Sequence, residues 1–459
     1  MGPFLRSKNK TNKIMLHLLI ALIPIIIFTV YKNGYIPYSH GKISFIHMFY
    51  PILFIAVGVL TSFVTEAIYA VITKKKDYIR NSYSIFPGLF LALILPLHAP
   101  MYVLVIGACV ASISKIIFGG FGKNIFNPAL IGYIFVVAVY ASVFTTTNYM
   151  NAYEIDTISS ATPLTNASLI SGIGSYETLV KPYGNLFDFF IGTVPGSLAE
   201  TSALLCLIAF IYLSITGTIK WRIPLVYIGT VFISTYAIGG LLGQGLYYPL
   251  FQVLSGGLMF GAVFMATDPV TSAVTPIGQI LQGLFLGILT VILRFLGVEG
   301  VATSILAMNM FVFILDKIGS KSRFNFLKSL GWFLLSWLIV IIMSFSIASS
   351  KRTDGNKDPN FSIISKDQNG NQTTYVVTQK GYGGSIKGEI VIENDKIKTF
   401  TILSNHETKD RYQMVVDNDY LSKLIIEQDN IDSVDTISGA TVTSTALKKM
   451  VINVMEDYK

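Results

Sequence analysis

The chain has 459 residues, 52% of them hydrophobic and only 13% charged, with 34 Lys and Arg against 26 Asp and Glu for a net charge of +8. Charged residues make up about a quarter of an ordinary soluble domain, so this balance excludes a typical water-soluble enzyme and gives no support to a nucleic-acid-binding protein. The apolar residues fall in runs of roughly 17–25, the length at which a helix crosses a bilayer, and the chain reads as a polytopic membrane protein.

Ten such runs occupy the first 320 residues, at about 14–31, 46–73, 83–98, 101–118, 127–146, 201–217, 223–240, 248–266, 277–297 and 300–316, and an eleventh covers about 329–348. The run at 83–98 is short and bounded by Pro96 and Pro100, which suits either a span or a re-entrant segment. Arg6, Lys8, Lys10 and Lys13 precede the first run, which reads as a retained anchor. Lys74, Lys75, Lys76, Arg80, Lys115, Lys123, Lys220, Arg222, Lys317, Lys321, Arg323 and Lys328 fall on the same side as these, against Lys32, Lys42, Lys181 and Arg294 on the other. The positive-inside rule then puts the N-terminus in the cytoplasm, and both the loop at about 147–200 and everything after the eleventh run outside. The net positive charge is thus accounted for by topology.

The outer loop holds "DTISSAT", Asp156 to Thr162. The five runs before it and the five after it suggest inverted halves, a plan that places function at the interface between repeats. The polar, proline-broken stretches "FGKNIFNPALIG" and "FMATDPVTSAVTP" are the candidates to line a central site, with Asn127 and Asn309 read either as capping and packing residues or as part of that site. Three acids, Glu66, Asp268 and Asp316, lie toward the cytoplasmic side; interfacial solvation or helix-end placement accounts for Asp316 beside Lys317, and less readily for Glu66. The only cysteines, Cys109 and Cys206, both fall in apolar runs, where a buried thiol is usual. No metal cluster is expected, and no nucleotide-binding glycine-rich loop or catalytic NADH site is apparent.

The composition divides the chain into a membrane domain at 1–320, a further transmembrane anchor at 321–350, a polar linker at 351–370 and a small α+β domain at 371–459. Within the last, "SIKGEIVIENDKIKTFTIL" reads as two strands around a turn at Asn394 and Asp395. Leu447, Met450, Val451, Val454 and Met455 recur at helical spacing, so a final amphipathic helix packs on the sheet. Before that helix stands "DTISGAT", Asp435 to Thr441. One reading is a helix start with Ser438, Thr441 or Ser444 as N-cap. The other is an anion cradle, in which backbone N–H groups around Gly439 and the helix N-terminus hold a phosphate against a threonine hydroxyl.

"DTISGAT" resembles the flavinylation sequence of the FMN-binding domain found in the G subunit of Rnf electron-transport complexes and in the C subunit of sodium-pumping NADH:quinone oxidoreductases. The resemblance extends over "KGYGGSIKGEIVIENDKI" and "SNHET", with Gly383, Gly384, His406, Glu407 and Thr408 at family positions. It implies that a flavin transferase joins the phosphate of FMN to the Thr441 hydroxyl, with Asp435, Ser438, Gly439 and Ala440 forming the attachment sequence. Lys409 and Asp410 replace the Pro-Gly usual in that family after Thr408. Residues 1 to about 320 resemble the D subunit of Rnf and the B subunit of the sodium-pumping enzyme, through "GKNIFNPALIGYIF", "GTIKWRIP", "GAVFMATDPVTSAVTP" and "AMNMFVFILD" in that order. This second resemblance implies covalent FMN on Thr162, in a copy where Ser160 takes the place of the usual glycine, and a noncovalent flavin, riboflavin or FMN, as well. It also implies carboxylates that take up Na+ or H+ on the cytoplasmic side.

The fold expected is a polytopic α-helical membrane domain of about ten spans, one further span, and an extracytoplasmic α+β FMN-binding domain. The function expected is that of a membrane subunit of an ion-translocating, Rnf-like electron-transport complex, with partner subunits supplying the electrons. A non-pumping extracytoplasmic flavin relay is the first alternative. A channel or solute carrier with a regulatory tail is the second, and it requires no flavin.

Overall fold

The computed structural model describes residues 11–75, 77–141, 163–164, 167, 174–199, 202–322, 338–339, 342–343, 345–347, 361–369, 372–381, 383–407, 409–428, 431, 434–437 and 440–458. The chain divides into two compact units, Met1–Ser350 and Lys351–Lys459.

In the first unit, α1 (Thr11–Val30) continues through a π-helical turn to Ser39. Then come α2 (Tyr50–Ile72), α3 (Tyr78–Ser82), α4 (Ile85–Ile94), α5 (Met101–Ile117), α6 (Pro128–Val139), α7 (Ala203–Ile215), α8 (Arg222–Leu241), α9 (Tyr247–Leu254), α10 (Leu258–Phe260, continuing as a π turn to Met265), α11 (Pro276–Phe295) and α12 (Val301–Ser322). Among the described residues five helices, Thr11–Ser39, His47–Ile72, Arg222–Leu241, Pro276–Phe295 and Val301–Lys321, are long and apolar enough to cross a membrane. Four apolar helices among the described residues are shorter, α4 among them, which ends at the extended Leu95 before Pro96.

The apolar run at 248–266 is two half-helices, Tyr247–Leu254 and Leu258–Met265, bent by 64°. The cause is local: Ser255 is extended and Gly256 has φ +67°, a conformation that a side chain strains and glycine adopts freely. α3 and α4 form a second broken pair, with Tyr83 at φ +51° between them. The order long helix, broken pair, helix, helix therefore occurs twice, in α2–α6 and in α8–α12. The packing repeats in outline: α2 and α8 each pack on their own broken pair and on the helix after it, α5 or α11, and these pack in turn on α6 and α12.

Small residues set the closeness of this packing. A Cβ on Gly88 would stand 1.9 Å from the Gly58 carbonyl oxygen, and one on Gly132 would stand 2.5 Å from that of Gly107. The halves meet at Phe90, whose ring lies 6.3 Å from Phe260 and 6.4 Å from Phe264. Of the eleventh run, 338–339, 342–343 and 345–347 are helical, and the remainder lies outside the described residues.

The second unit is an antiparallel sheet in the order β1 (Phe361–Asn369), β2 (Gln372–Lys380), β3 (Ser385–Glu393), β4 (Lys396–Asn405), followed by α13 (Lys409–Asp417), α14 (Tyr420–Ile426) and α15 (Thr441–Tyr458). The turn at Asn394 and Asp395 is present, with φ of +53° and +64°, the paired positive values of a tight hairpin. Burial alternates along β2 and β3, and their inward residues Tyr375, Val377, Ile386 and Ile390 share a core with Leu447, Met450, Val451 and Val454 of α15.

One boundary differs from the sequence reading. Part of the stretch expected as linker, 361–369, is β1, paired with β2 from Phe361↔Gln379 to Asn369↔Gln372. A bulge between Ile363 and Ser365 shifts its register, which removes the strict alternation by which a strand is recognised. A helix, α13, begins at Lys409 and Asp410, where Pro-Gly is usual in the resembling family.

Candidate functional site

α15 opens at Thr441, which is exposed as its first residue and stands at the positive end of an 18-residue helix. The turn before it is locked by Ser444. Its Oγ accepts from the Ile437 amide at 3.2 Å and donates to the carbonyl of Ala440 at 2.9 Å, while Ala440 N donates to Ile437 O at 3.0 Å. Ser444 therefore braces the motif from inside the helix. Thr441 Oγ1 lies 3.4 Å from Ile437 O, and Ala440 is fully buried, which requires a small residue there. Asp435 is exposed, and Lys448 Nζ donates to Val434 O at 3.1 Å, holding the chain that enters the motif. The phenol of Tyr420 is pushed up to about 12 by burial and, second, by the charge of Asp435. Ser438, Gly439 and Thr408 lie outside the described residues.

The glycine loop and the "SNHET" segment meet at one end of the sheet. Gly381 N donates to Gly384 O at 2.7 Å, and the buried Glu407 carboxylate accepts from Gly383 N at 3.1 Å. A Cβ on Gly381 would collide with Glu407 Oε1, and one on Gly384 would stand 2.7 Å from His406 Cβ. His406 N donates to Ser385 O at 3.1 Å, and its side chain is exposed.

The same end carries Thr441. Tyr458, at the far end of α15, donates to Asp395 in the β3–β4 turn at 3.1 Å, and Asp457 pairs with Lys366 of β1 at 2.9 Å. From there α15 rises about 26 Å to Thr441, and β3 runs back a similar distance, about 26 Å, to the glycine loop. Thr441, Gly383, Gly384, His406 and Glu407 thus share one end of the domain.

In the membrane unit, Thr162 and Ser160 lie outside the described residues. Pro163 is buried, and Leu164 reaches Gly256 in the bent pair, where a Cβ would also meet Glu299 and Arg294. Arg294 donates from Nη2 to Ser255 O at 3.1 Å, from Nη1 to Gln252 O and to Gln252 Oε1 at 3.2 Å, and from Nε to Glu299 O at 3.2 Å, so it satisfies carbonyls freed by the break.

At the opposite end lies a cavity of roughly 660 Å3, counting its open mouth. Tyr83, Phe86, Phe90, Phe121 and Phe264 give it aromatic walls, and Lys115, Asn124, Asn127 and Asp268 bring polar atoms to it. The buried Oδ1 of Asn124 has no hydrogen-bond partner among the described residues. The few convergent polar groups among aromatic rings are of the kind that orient a planar heteroaromatic ligand.

The candidate acids have separate environments. Glu66 is fully buried, with Lys115 Nζ at 2.8 Å from Oε1 and the Ser82 hydroxyl donating to Oε2; Lys115 also donates to Ser82 O. Lys115 is what the sequence reading missed as a partner, having counted it only as a cytoplasmic charge; its signal is a cation within an apolar helix, one turn after Ser112. Asp268 lines the cavity and accepts from Val270 N at 3.0 Å. Asp316 accepts from Val274 N, Thr275 N and Thr275 Oγ1 at 2.7–2.9 Å, tying down the loop that opens α11. Asn127 caps α6 through Ala129 N at 3.1 Å, its own N–H donates to Asn309 Oδ1 at 3.2 Å, and Asn309 Nδ2 donates to Thr271 O at 3.1 Å. These two asparagines therefore join the repeated halves. Neither Cys109 nor Cys206 is part of a disulfide.

Residues 1–325 match the model of the NQR2, RnfD, RnfE family, and residues 381–456 match that of the FMN-binding domain. The chain is 36% identical over 331 residues to the D subunit of the proton-translocating ferredoxin:NAD(+) oxidoreductase complex of Clostridium ljungdahlii, covering 71% of this chain and 95% of that one. It is 35% identical over 332 residues to the D subunit of the Na(+)-translocating ferredoxin:NAD(+) oxidoreductase complex of Acetobacterium woodii, with the same coverage of each. The B subunit of the Na(+)-translocating NADH-quinone reductase of Chromohalobacter salexigens is 35% identical over 263 residues, 55% of this chain and 61% of that one.

Proposed function

Because the chain belongs to the NQR2, RnfD, RnfE family and carries an FMN-binding domain after it, we propose that it is a membrane subunit of an ion-translocating ferredoxin:NAD(+) oxidoreductase complex, with its own flavin-carrying domain fused on. The observation that carries the reading is Thr441: an exposed residue at a helix N-terminus, at the end of the domain that bears a braced glycine loop, in the motif "DTISGAT".

A flavin transferase attaches FMN there through a phosphodiester, and FMN supplies one- and two-electron chemistry when bound. The residues of this chain hold and orient it. The N-terminal amides of α15 face the phosphate, Ser444 keeps the turn rigid, and Glu407 holds the Gly381–Gly384 turn where the ring is received. Thr162 carries a second FMN by the same chemistry. The cavity beside Lys115 takes a noncovalent flavin, with Asn124 Oδ1 as an acceptor for a ring N–H. That cavity faces the cytoplasm and both threonines lie outside, a reading supported by the distribution of basic residues between the loops. Partner subunits deliver the electrons, and Na+ or H+ moves on the path that Glu66, Asp268 and Asp316 begin; the relatives' names include one cation of each kind.

The test is flavin fluorescence in a denaturing gel after co-expression with a flavin transferase. The wild type should fluoresce, Thr441→Ala and Thr162→Ala should each lose part of the signal, and the double variant should lose all of it. A dark wild-type band overturns covalent attachment; loss of the whole signal in Thr441→Ala alone removes Thr162 from the scheme.

A further inference from the structure

Lys115 and Arg294 occupy equivalent places in the repeated halves. Each stands near the end of its helix, α5 or α11, and each donates to the carbonyl of a buried serine at a broken span, Ser82 or Ser255. Their remaining contacts differ. Arg294 is spread over Gln252 and the Glu299 backbone by a planar fork that never loses its charge. Lys115 has one further strong partner, the Glu66 carboxylate, and it also faces an open cavity.

The surroundings of that pair are oxygen-rich and incompletely used. Ser62 stands one turn before Glu66 in α2 and Ser112 one turn before Lys115 in α5; both are fully buried, and neither hydroxyl has a hydrogen-bond partner among the described residues. Buried hydroxyls are seldom left so. The Glu66 carboxylate and the carbonyl and hydroxyl of Ser82 meet at Lys115, and with these two hydroxyls one turn away along α2 and α5 they are hard oxygens of the kind an alkali cation takes. The ammonium of Lys115 sits on that carboxylate in the place of such a cation. Asp268, in the wall of the cavity that Lys115 also lines, lies within electrostatic reach of Lys115.

We infer that Lys115 is a latch on a sodium-sized cation site at Glu66: the site is shut while the ammonium rests on Glu66, and opens when the ammonium is drawn into the cavity toward Asp268. Negative charge added to the cavity supplies the pull, and the entering cation restores neutrality at Glu66. The inference rests on the reading of the chain as an ion-translocating subunit and names the residue that times ion entry.

The test is thermal unfolding of the full-length chain in detergent, in sodium, potassium and choline chloride at equal ionic strength. Air-oxidised wild type should be indifferent to the cation. Lys115→Gln, whose buried carboxylate has lost its partner, should unfold earlier in choline and recover by a few degrees, saturably, in sodium. Lys115→Gln/Glu66→Gln should lose that response. A Lys115→Gln protein as indifferent as wild type, or a double variant that keeps the response, overturns the latch.

Should Lys115→Gln fail to fold, wild type gives the second reading. Flavin-loaded protein treated with dithionite should gain a sodium-specific rise that Asp268→Asn lacks, and equal behaviour in both redox states overturns the latch. Flavin absorbance, read beforehand, separates the two ideas: a chain without flavin sinks the proposed function, whereas a flavin-loaded chain that ignores sodium in every arm sinks the latch alone.

Discussion

Tyr458 donates its phenol hydrogen to Asp395 at 3.1 Å, which sets the tail of α15 at the β3–β4 turn. The Asp457–Lys366 pair and the core contacts of Leu447, Met450, Val451 and Val454 hold the helix along the sheet. Thr441 is thereby carried to the end of the domain that bears the glycine loop.

The Glu407 carboxylate is buried and accepts from Gly383 N, so its loss leaves an amide without its acceptor. Glu407→Ala should cost about 1–3 kcal/mol locally. Hydrogen exchange on the full chain should show the Gly383 amide exchanging roughly ten- to a hundredfold faster, with Thr441 still flavinylated. An unchanged rate removes Glu407 as the brace.

Ala440 has no exposed surface, and Ser444 closes on its carbonyl. Ala440→Val places two methyl groups into this packing at a cost of about 1–3 kcal/mol. Flavinylation at Thr441 should fall, because the hydroxyl is displaced with the turn. A gel comparing Ala440→Val with Ala440→Gly checks it: glycine should retain more signal than valine.

Tyr420 is buried, its hydroxyl has no hydrogen-bond partner among the described residues, and its pKa is pushed up to about 12 by burial and by Asp435. A phenol that ionises later folded than unfolded stabilises the fold fully below pH ~10, the unfolded value, and that stabilisation is lost as the pH rises toward 12. Tyr420→Phe should therefore flatten the loss of stability over this window. At neutral pH it should raise stability slightly, by about 1 kcal/mol, since an unpaired polar atom is removed. Denaturation of both proteins at pH 7 and across the alkaline window measures the two effects together.

Gly88 and Gly58 bring two helix backbones into contact, with no room for a methyl group between them. Gly88→Ala should force α4 from α2 and disturb the Tyr83 and Phe86 wall of the cavity. The expected cost is about 1–3 kcal/mol, read as a lower unfolding temperature in detergent with weaker retention of noncovalent flavin. Ala92→Gly, one turn along α4, should leave flavin retention closer to wild type.

The apolar runs announce the membrane helices because hydrocarbon demands the same composition wherever a helix crosses it. That demand also conceals the break at Ser255–Gly257, where the sequence stays apolar on either side and only one glycine's φ turns the chain. The amphipathic spacing of Leu447, Met450, Val451 and Val454 places α15 correctly, since one face meets one sheet. β1 is harder to read because its bulge disturbs the period of two. Motif residues such as Gly383 and Glu407 are recognisable one by one, but the bond between them spans 24 positions. The Lys115–Glu66 pair spans 49, and composition has no term for such a meeting.

The two helix breaks share a backbone plan and differ in their chemistry. A membrane domain whose halves were chemical twins would respond alike to charge arriving at either face. An arginine bound among carbonyls at one break, and a lysine shared between a carboxylate and a cavity at the other, remove that equivalence. One end is fastened and the other is hinged, so the duplicated scaffold acquires a forward direction from a few side chains, as a ratchet does from the slope of its teeth.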